Sequence, residues 1–207
     1  MPVNHSEDAL YSLRGNRISA RRHLLFMKSN LILGFSMALM LSGQAVPPQV
    51  GQKAPDFELN ALGGNAVRLN DLNAKSNVVL VLLRGYPGYQ CPLCNRQVRD
   101  LVQGAKSLED AGASVILVYP GPPDRAKEFA ADKSMPANYH FLIDPDYKFT
   151  NLYGLRWDAP QETAYPSTFI LDRSGIVRFA KISKTHGGRS TVAELVQALG
   201  KLSNPRE

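Results

Sequence analysis

Apolar residues run unbroken through Val78 to Leu83 (VVLVLL) and Ser114 to Tyr119 (SVILVY), the pattern of strands buried on both faces of a parallel sheet. Shorter alternating stretches flank them. Phe57 to Asn60 and Val67 to Leu69 alternate around Gly63-Gly64-Asn65, which predicts a small hairpin, and Asp71-Leu72 begins a short turn of helix. His140 to Asp144 is short and strand-like. Thr168 to Leu171 and Ile176 to Ile182 flank the turn Asp172 to Gly175, and strands so closely joined are antiparallel.

Helical spacing fills the gaps. Pro92 to Ala111 is closed by Gly112, Asp124 is placed to cap a helix over Arg125 to Lys133, and Asp146 to Tyr153 stops at Gly154. Thr191 to Leu202 carries apolar residues at Val192, Leu195, Val196 and Leu199, one face of a terminal helix. Leu155 to Tyr165, with the only tryptophan, Trp157, is a loop. The predicted order is an N-terminal hairpin, a βαβ unit, a further helix and a ββα ending.

The first 45 residues stand apart. Arg17, Arg21, Arg22 and Lys28 precede the apolar run Leu31 to Leu41, and Gly43, Ala45, Pro47 and Pro48 follow. Charge, apolar core and small residues in that order predict a secretory signal peptide over residues 1–45, with Met27 an alternative start. The run is too short for a stable membrane anchor, so no membrane span is expected after cleavage. The expected destination is extracytoplasmic or periplasmic, where a disulfide persists. Residues 46–207 form the expected globular domain.

Charge excludes one class of function. Of the net +6, residues 1–45 contribute +3, which leaves the remainder only mildly basic. Its Lys and Arg are scattered, and no basic run is interleaved with aromatics, so nucleic acid is not an expected partner.

The chemistry is concentrated in Arg84 to Arg99, RGYPGYQCPLCNRQVR, which holds both cysteines, Cys91 and Cys94. Strand, turn and helix start place Cys91 at the N-cap, Pro92 at the first helical position and Cys94 at the third. Those two side chains are neighbours at a helix start, so their sulfurs can bridge. Free N–H groups and the helix dipole stabilise a thiolate at Cys91. Cys91 is then the attacking sulfur and Cys94 the resolving one. Two other readings compete. A zinc site lacks a second Cys pair, and His140 and His186 are isolated; a structural disulfide would close too short a loop to stabilise much. No metal or other cofactor is expected.

Five further residues are placed around the site. Arg84 ends its strand seven residues before Cys91, where its guanidinium either faces the thiolate or is solvated. Tyr86 and Tyr89 are expected to line the approach. Tyr165-Pro166 precedes a strand expected beside the one leading to the cysteines. A proline there suits a cis bond facing Cys91 and would leave the Tyr165 backbone free to pair with an extended substrate.

GQKAPDFEL (51–59), VVLVLLRG (78–85), CPLC (91–94), IDPDYKFTNLYGL (143–155) and PSTFILDRSGIVRF (166–179) together resemble the thioredoxin-fold redoxins. They are most similar to the peroxiredoxin-like branch of the alkyl hydroperoxide reductase and thiol-specific antioxidant superfamily. The resemblance covers residues 50 to 200. It implies a three-layer α/β fold, a central mixed sheet flanked by helices, with Cys91 reactive, Cys94 its partner and Pro166 at the cis-proline position. The chain departs from the standard peroxiredoxin pattern, whose proline and threonine or serine are replaced by Arg84 and Gly88, and whose second-strand arginine would fall at Pro166. It also carries CxxC, as disulfide reductases do.

The expected function is therefore thiol–disulfide oxidoreduction, in which Cys91 attacks a protein disulfide and Cys94 resolves the mixed disulfide. The alternative is a thiol peroxidase, in which Cys91 reduces a peroxide and its sulfenic acid condenses with Cys94. Either cycle uses a thiol reductant such as a thioredoxin-type partner. A third reading is a copper-binding redoxin using both thiolates and His186 or His140; related copper carriers place a histidine just before the strand that here begins PSTF, and this chain has none there.

Overall fold

The computed structural model describes residues 45–203. Residues 1–44, on which the expected signal peptide falls, lie outside the described residues, as do 204–207. Five strands form one mixed sheet in the order β5-β4-β3-β6-β7: β3 Asn77–Leu82, β4 Ala113–Tyr119, β5 Tyr139–Ile143, β6 Ser167–Leu171 and β7 Val177–Ile182. β3, β4 and β5 are mutually parallel, whereas β6 runs antiparallel to β3 and to β7. A separate hairpin pairs β1 Glu58–Asn60 with β2 Ala66–Arg68.

The central strands are apolar throughout because both faces are covered. Val79, Val81 and Leu83 point with Val115 and Leu117 into one core, which also holds Cys91, Cys94, Val98 and Leu101, and Leu195 and Leu199 of the last helix. Val78, Leu80 and Leu82 point the other way and pack with Leu59, Leu69, Phe149 and Tyr153. Strand alternation thus builds the three layers. Helices α2 (Pro92–Gln103) and α6 (Val192–Ser203) share the first face, while α1 (Leu69–Asn73) and α5 (Lys148–Leu152) lie on the second.

Three helix boundaries differ from the sequence expectation. The segment expected as one helix over 92–111 is two, α2 and α3 (Ala105–Asp110), separated by Gly104. A Cβ on Gly104 would come within 2.6 Å of the Val192 side chain, so α6 crosses where only glycine allows the approach. The next helix, α4, spans Pro123–Ala130, with Asp124 in its first turn rather than at the cap. α5 starts after Tyr147, and its leading N–H groups, Phe149 and Thr150, donate to the Asp144 carboxylate at 3.1 and 2.9 Å. Asp146 is therefore not its first residue. The start of α6 is a capping box, with Glu194 N–H donating to Thr191 Oγ1 and Thr191 N–H donating to Glu194 at 2.7 Å.

Among the described residues no helix is long and apolar enough to cross a membrane.

Candidate active site

The tip of β3 and the start of α2 meet at two sulfurs. Past β3 the chain turns at Gly85, whose φ of +66° and near contact with the Pro120 carbonyl leave no room for a side chain. The Tyr86 N–H then donates to Pro120 O at 3.0 Å, which ties this turn to the end of β4. The chain re-enters helix with Cys91 as extended N-cap (φ −65°, ψ 116°) and Pro92 at the first position. Cys94 thus sits at the third position, as expected.

Both cysteines are free thiols sealed in the core, Cys91 2% exposed and Cys94 0%. Their environments drive them apart. The Cys91 thiol falls to about 5 because it accepts a hydrogen bond from the Cys94 thiol. Burial opposes that fall, while the Cys94 backbone N–H, the charge of Arg189 and, least, Arg84 reinforce it. Burial pushes Cys94 up, and the charge on Cys91 adds to the shift. The Arg84 backbone N–H also donates to Cys94 Sγ at 3.3 Å. One sulfur is thus a thiolate at neutral pH and the other keeps its proton.

Arg84 is neither solvated nor chiefly a partner of the thiolate. Its side chain is 3% exposed and forks onto Glu162, with Nε to Oε2 at 2.5 Å and Nη2 to Oε1 at 2.9 Å. Nη1 donates to the Tyr89 hydroxyl at 2.6 Å and Nη2 to the Gln161 carbonyl at 2.9 Å. Burial works against ionisation of Glu162, yet the bonds from Arg84 and His186 hold its carboxyl below its ordinary value. A buried fork of this kind orders the loop over the site. Tyr86 lies instead beneath the Arg125 guanidinium, 5.1 Å from the ring centre.

Ser167 pairs with Leu82, so Pro166 falls opposite Leu83, beside the strand tip that leads to the cysteines. Its carbonyl accepts from Ser183 N–H at 2.9 Å. The expected free backbone at Tyr165 is not found: its N–H donates to Leu155 O at 2.9 Å, and its carbonyl accepts from Ser167 Oγ at 2.8 Å. The 155–165 loop, closed by a bridge between Arg156 and Ala164, folds back and occupies the edge that an extended substrate would use.

His186 sits on Glu162 (Nε2 to Oε1, 2.7 Å) and His140 lies on edge strand β5. Among the described residues no three Cys, His, Asp or Glu side chains converge in a metal-binding group; the copper reading therefore lacks its third ligand.

One site residue had escaped the sequence reading. Arg189, in the loop between β7 and α6, donates from Nη2 to Cys91 Sγ at 3.7 Å and from Nη1 to Gln97 Oε1 at 3.1 Å. Arg189 follows His186 by three residues in a Gly-Gly loop, and no local motif marks it as a site residue.

A sheet of this order, carrying a thiolate and a neutral thiol one helical turn apart, defines a thioredoxin-fold thiol redox protein. The AhpC/TSA family matches residues 50–180, and the chain belongs to that family. It is 27% identical over 161 residues to peroxiredoxin Bcp of Bacillus subtilis, covering 75% of this chain and 97% of that protein. It is 32% identical over 134 residues to a putative peroxiredoxin bcp of Helicobacter pylori, 62% and 84% of the two chains. Among solved structures, peroxidoxin BcpB from Mycobacterium tuberculosis superposes with a TM-score of 0.63 at 23% identity over 77% of this chain and 99% of that one. The chain is a peroxiredoxin-like antioxidant oxidoreductase.

Proposed function

We propose that the chain is a thiol peroxidase whose oxidised form is a Cys91–Cys94 disulfide. The observation that carries this reading is the placement of two buried cysteines on the first turn of α2, Cys91 at the N-cap and Cys94 at the third position, with the Arg189 guanidinium 3.7 Å from Cys91 Sγ. The Cys91 thiolate attacks one peroxide oxygen; the S–O bond forms, the O–O bond breaks, and the leaving oxygen takes a proton to become water or an alcohol. Cys91 is then a sulfenic acid. The Cys94 sulfur displaces its hydroxyl, the S–S bond forms, and water leaves with the Cys94 proton. A thioredoxin-type dithiol returns both sulfurs to thiols by exchange, being oxidised to its own disulfide.

Two features favour a peroxide over a protein disulfide as the oxidising substrate, the reverse of the order expected from CxxC alone. Cys91 is nearly sealed, which suits a small molecule. The Tyr165 N–H is already taken by Leu155, so a peptide has no strand edge to join there. Dithiol exchange keeps a place in the cycle as its regenerating half. The relatives named peroxiredoxins support the same assignment. Export remains part of this reading, and fractionation of cells expressing the full chain tests it.

The test is single-turnover consumption of hydrogen peroxide and an organic hydroperoxide by the reduced protein, beside an insulin-disulfide reduction assay. Wild type should consume one equivalent and form the intramolecular disulfide. Cys91→Ser should consume none, and Cys94→Ser one equivalent with a sulfenic acid trapped by a cyclic diketone. Insulin reduction without peroxide consumption would overturn the assignment.

A further inference from the structure

We propose that Glu162 and Trp157 are specificity-determining residues: they clasp the 155–165 loop onto the backbone edge at Tyr165, so that the Cys91–Cys94 pair takes small oxidants and refuses protein disulfides. This deepens the reading above and rests on Cys91 being the reacting sulfur.

The loop fills the edge with a strand of its own. Trp157 N–H donates to Thr163 O at 3.1 Å, Arg156 and Ala164 form an antiparallel bridge, and Tyr165 N–H donates to Leu155 O at 2.9 Å. Residues 155–157 thus lie where an extended peptide would add to the chain just before β6. Backbone pairing alone does not keep so short a ladder closed, because a lone two-stranded ribbon is marginal in water. Side chains fasten it.

Three fastenings converge. The first is buried charge: Glu162 takes the Arg84 fork on one side and His186 Nε2, at 2.7 Å, on the other. The same guanidinium donates to Gln161 O at 2.9 Å and to the Tyr89 hydroxyl at 2.6 Å. One cation, 3% exposed, therefore ties the loop to the turn that leads into Cys91. The second is stacking, with Trp157 on the Tyr165 ring at 4.8 Å between centroids and 13° between planes, and His186 against the indole at 5.3 Å. The third is Arg156, whose Nη1 donates to Trp157 O at 2.5 Å and to Glu162 O at 3.2 Å, joining the two limbs of the loop.

The closed shape is imposed on the chain. Gln161 has φ +60°, a conformation that a residue with a Cβ adopts at a cost and keeps only where its surroundings hold it there. Here the hold is the Arg84 bond to its carbonyl. Loosening the clasp lets the loop leave that shape and frees the Tyr165 N–H.

The consequence is a choice of substrate. With the edge filled and Cys91 2% exposed, a small oxidant reaches the sulfur and a folded chain does not. With the clasp released, a peptide pairs at Tyr165 and the Cys91 thiolate attacks its disulfide; that S–S bond breaks, and one substrate sulfur leaves as a thiol with a proton from solvent. Cys94 then attacks the mixed disulfide and passes its proton to the second substrate sulfur, so the substrate is reduced and Cys91–Cys94 is oxidised.

The test sets two oxidants against one reduced protein. Wild type, Glu162→Gln and Trp157→Ala, freed of reductant, are mixed in single turnover with hydrogen peroxide or with insulin, and formation of the Cys91–Cys94 disulfide is timed by thiol quenching. Hydrogen exchange at the Tyr165 amide reports whether the edge is open. Both substitutions should speed that exchange and raise the ratio of insulin rate to peroxide rate by at least about tenfold, because only the open fraction accepts a strand. Trp157→Ala leaves the Arg84–Glu162 fork in place, so it carries the test if Glu162→Gln fails to fold. Adding Cys91→Ser should abolish the insulin reduction gained. A folded Trp157→Ala whose ratio stays at the wild-type value, or a gain that survives Cys91→Ser, would overturn the proposal. If the variants gain insulin reduction while none of the proteins consumes peroxide, the clasp stands and the peroxidase reading falls. If all consume peroxide and none reduces insulin, the clasp falls and the peroxidase reading stands.

Discussion

Acidifying the reduced protein should weaken its fold more than it weakens the fold of the Cys91→Ser variant. In the folded chain Cys91 titrates near 5, whereas a thiol in the unfolded chain titrates near 8.5 (approximately). Between those values the native state has released a proton that the unfolded state keeps. A depressed folded value means stability that is complete above the unfolded value and lost as pH falls toward the folded one. The slope is about 1.4 kcal/mol per pH unit. Cys94 acts with the opposite sign, because burial keeps it protonated in the fold, but only above about pH 8.5, where the unfolded thiol ionises. From about pH 6 to pH 7.5 the Cys91 contribution therefore grows alone, by roughly 2 kcal/mol. For a domain of this size that corresponds to about 4–8 °C in Tm. The assay is thermal unfolding of both proteins in a phosphine reductant at several pH values, each compared with the other so that carboxylates and histidines cancel. Parallel curves for wild type and Cys91→Ser would refute the assignment of a buried thiolate.

Two further substitutions probe the frame around the sulfurs. Glu162→Ala leaves the Arg84 guanidinium, 3% exposed, without its carboxylate; the urea midpoint should fall by the equivalent of about 3 kcal/mol, and an unchanged midpoint would mean that water takes over the role. Gly85→Ala forces a side chain onto a φ of +66° and into the Pro120 carbonyl, with an expected loss of about 2 kcal/mol or more in the same measurement; wild-type stability would show that the β3 tip shifts freely.

What the sequence disclosed was local. The helix start at Cys91 could be read because Pro92 has no N–H to satisfy and a strand-like run ends just upstream, all within a few residues. The two hairpins and the parallel βαβ unit followed from apolar runs whose faces must be covered. What escaped depends on groups far apart in the chain. Arg189 lies 98 residues beyond Cys91, and Glu162 lies 78 beyond Arg84, so no local periodicity announces either contact. The division of the expected helix at Gly104 arises from the approach of Val192 on α6, a packing partner invisible along the chain. The Tyr165 N–H was taken for the same reason, because Leu155 reaches it only once the intervening loop closes.

On the proposed cycle, the buried position of Cys94 would set the lifetime of damage. In the proposed cycle a sulfenic acid on Cys91 meets Cys94 on the same first turn of α2, so condensation calls on no second molecule and competes with a further peroxide that would carry that sulfur to the irreversible sulfinic form. A catalyst arranged in this way tolerates an oxidant surge and is restrained by the supply of reductant.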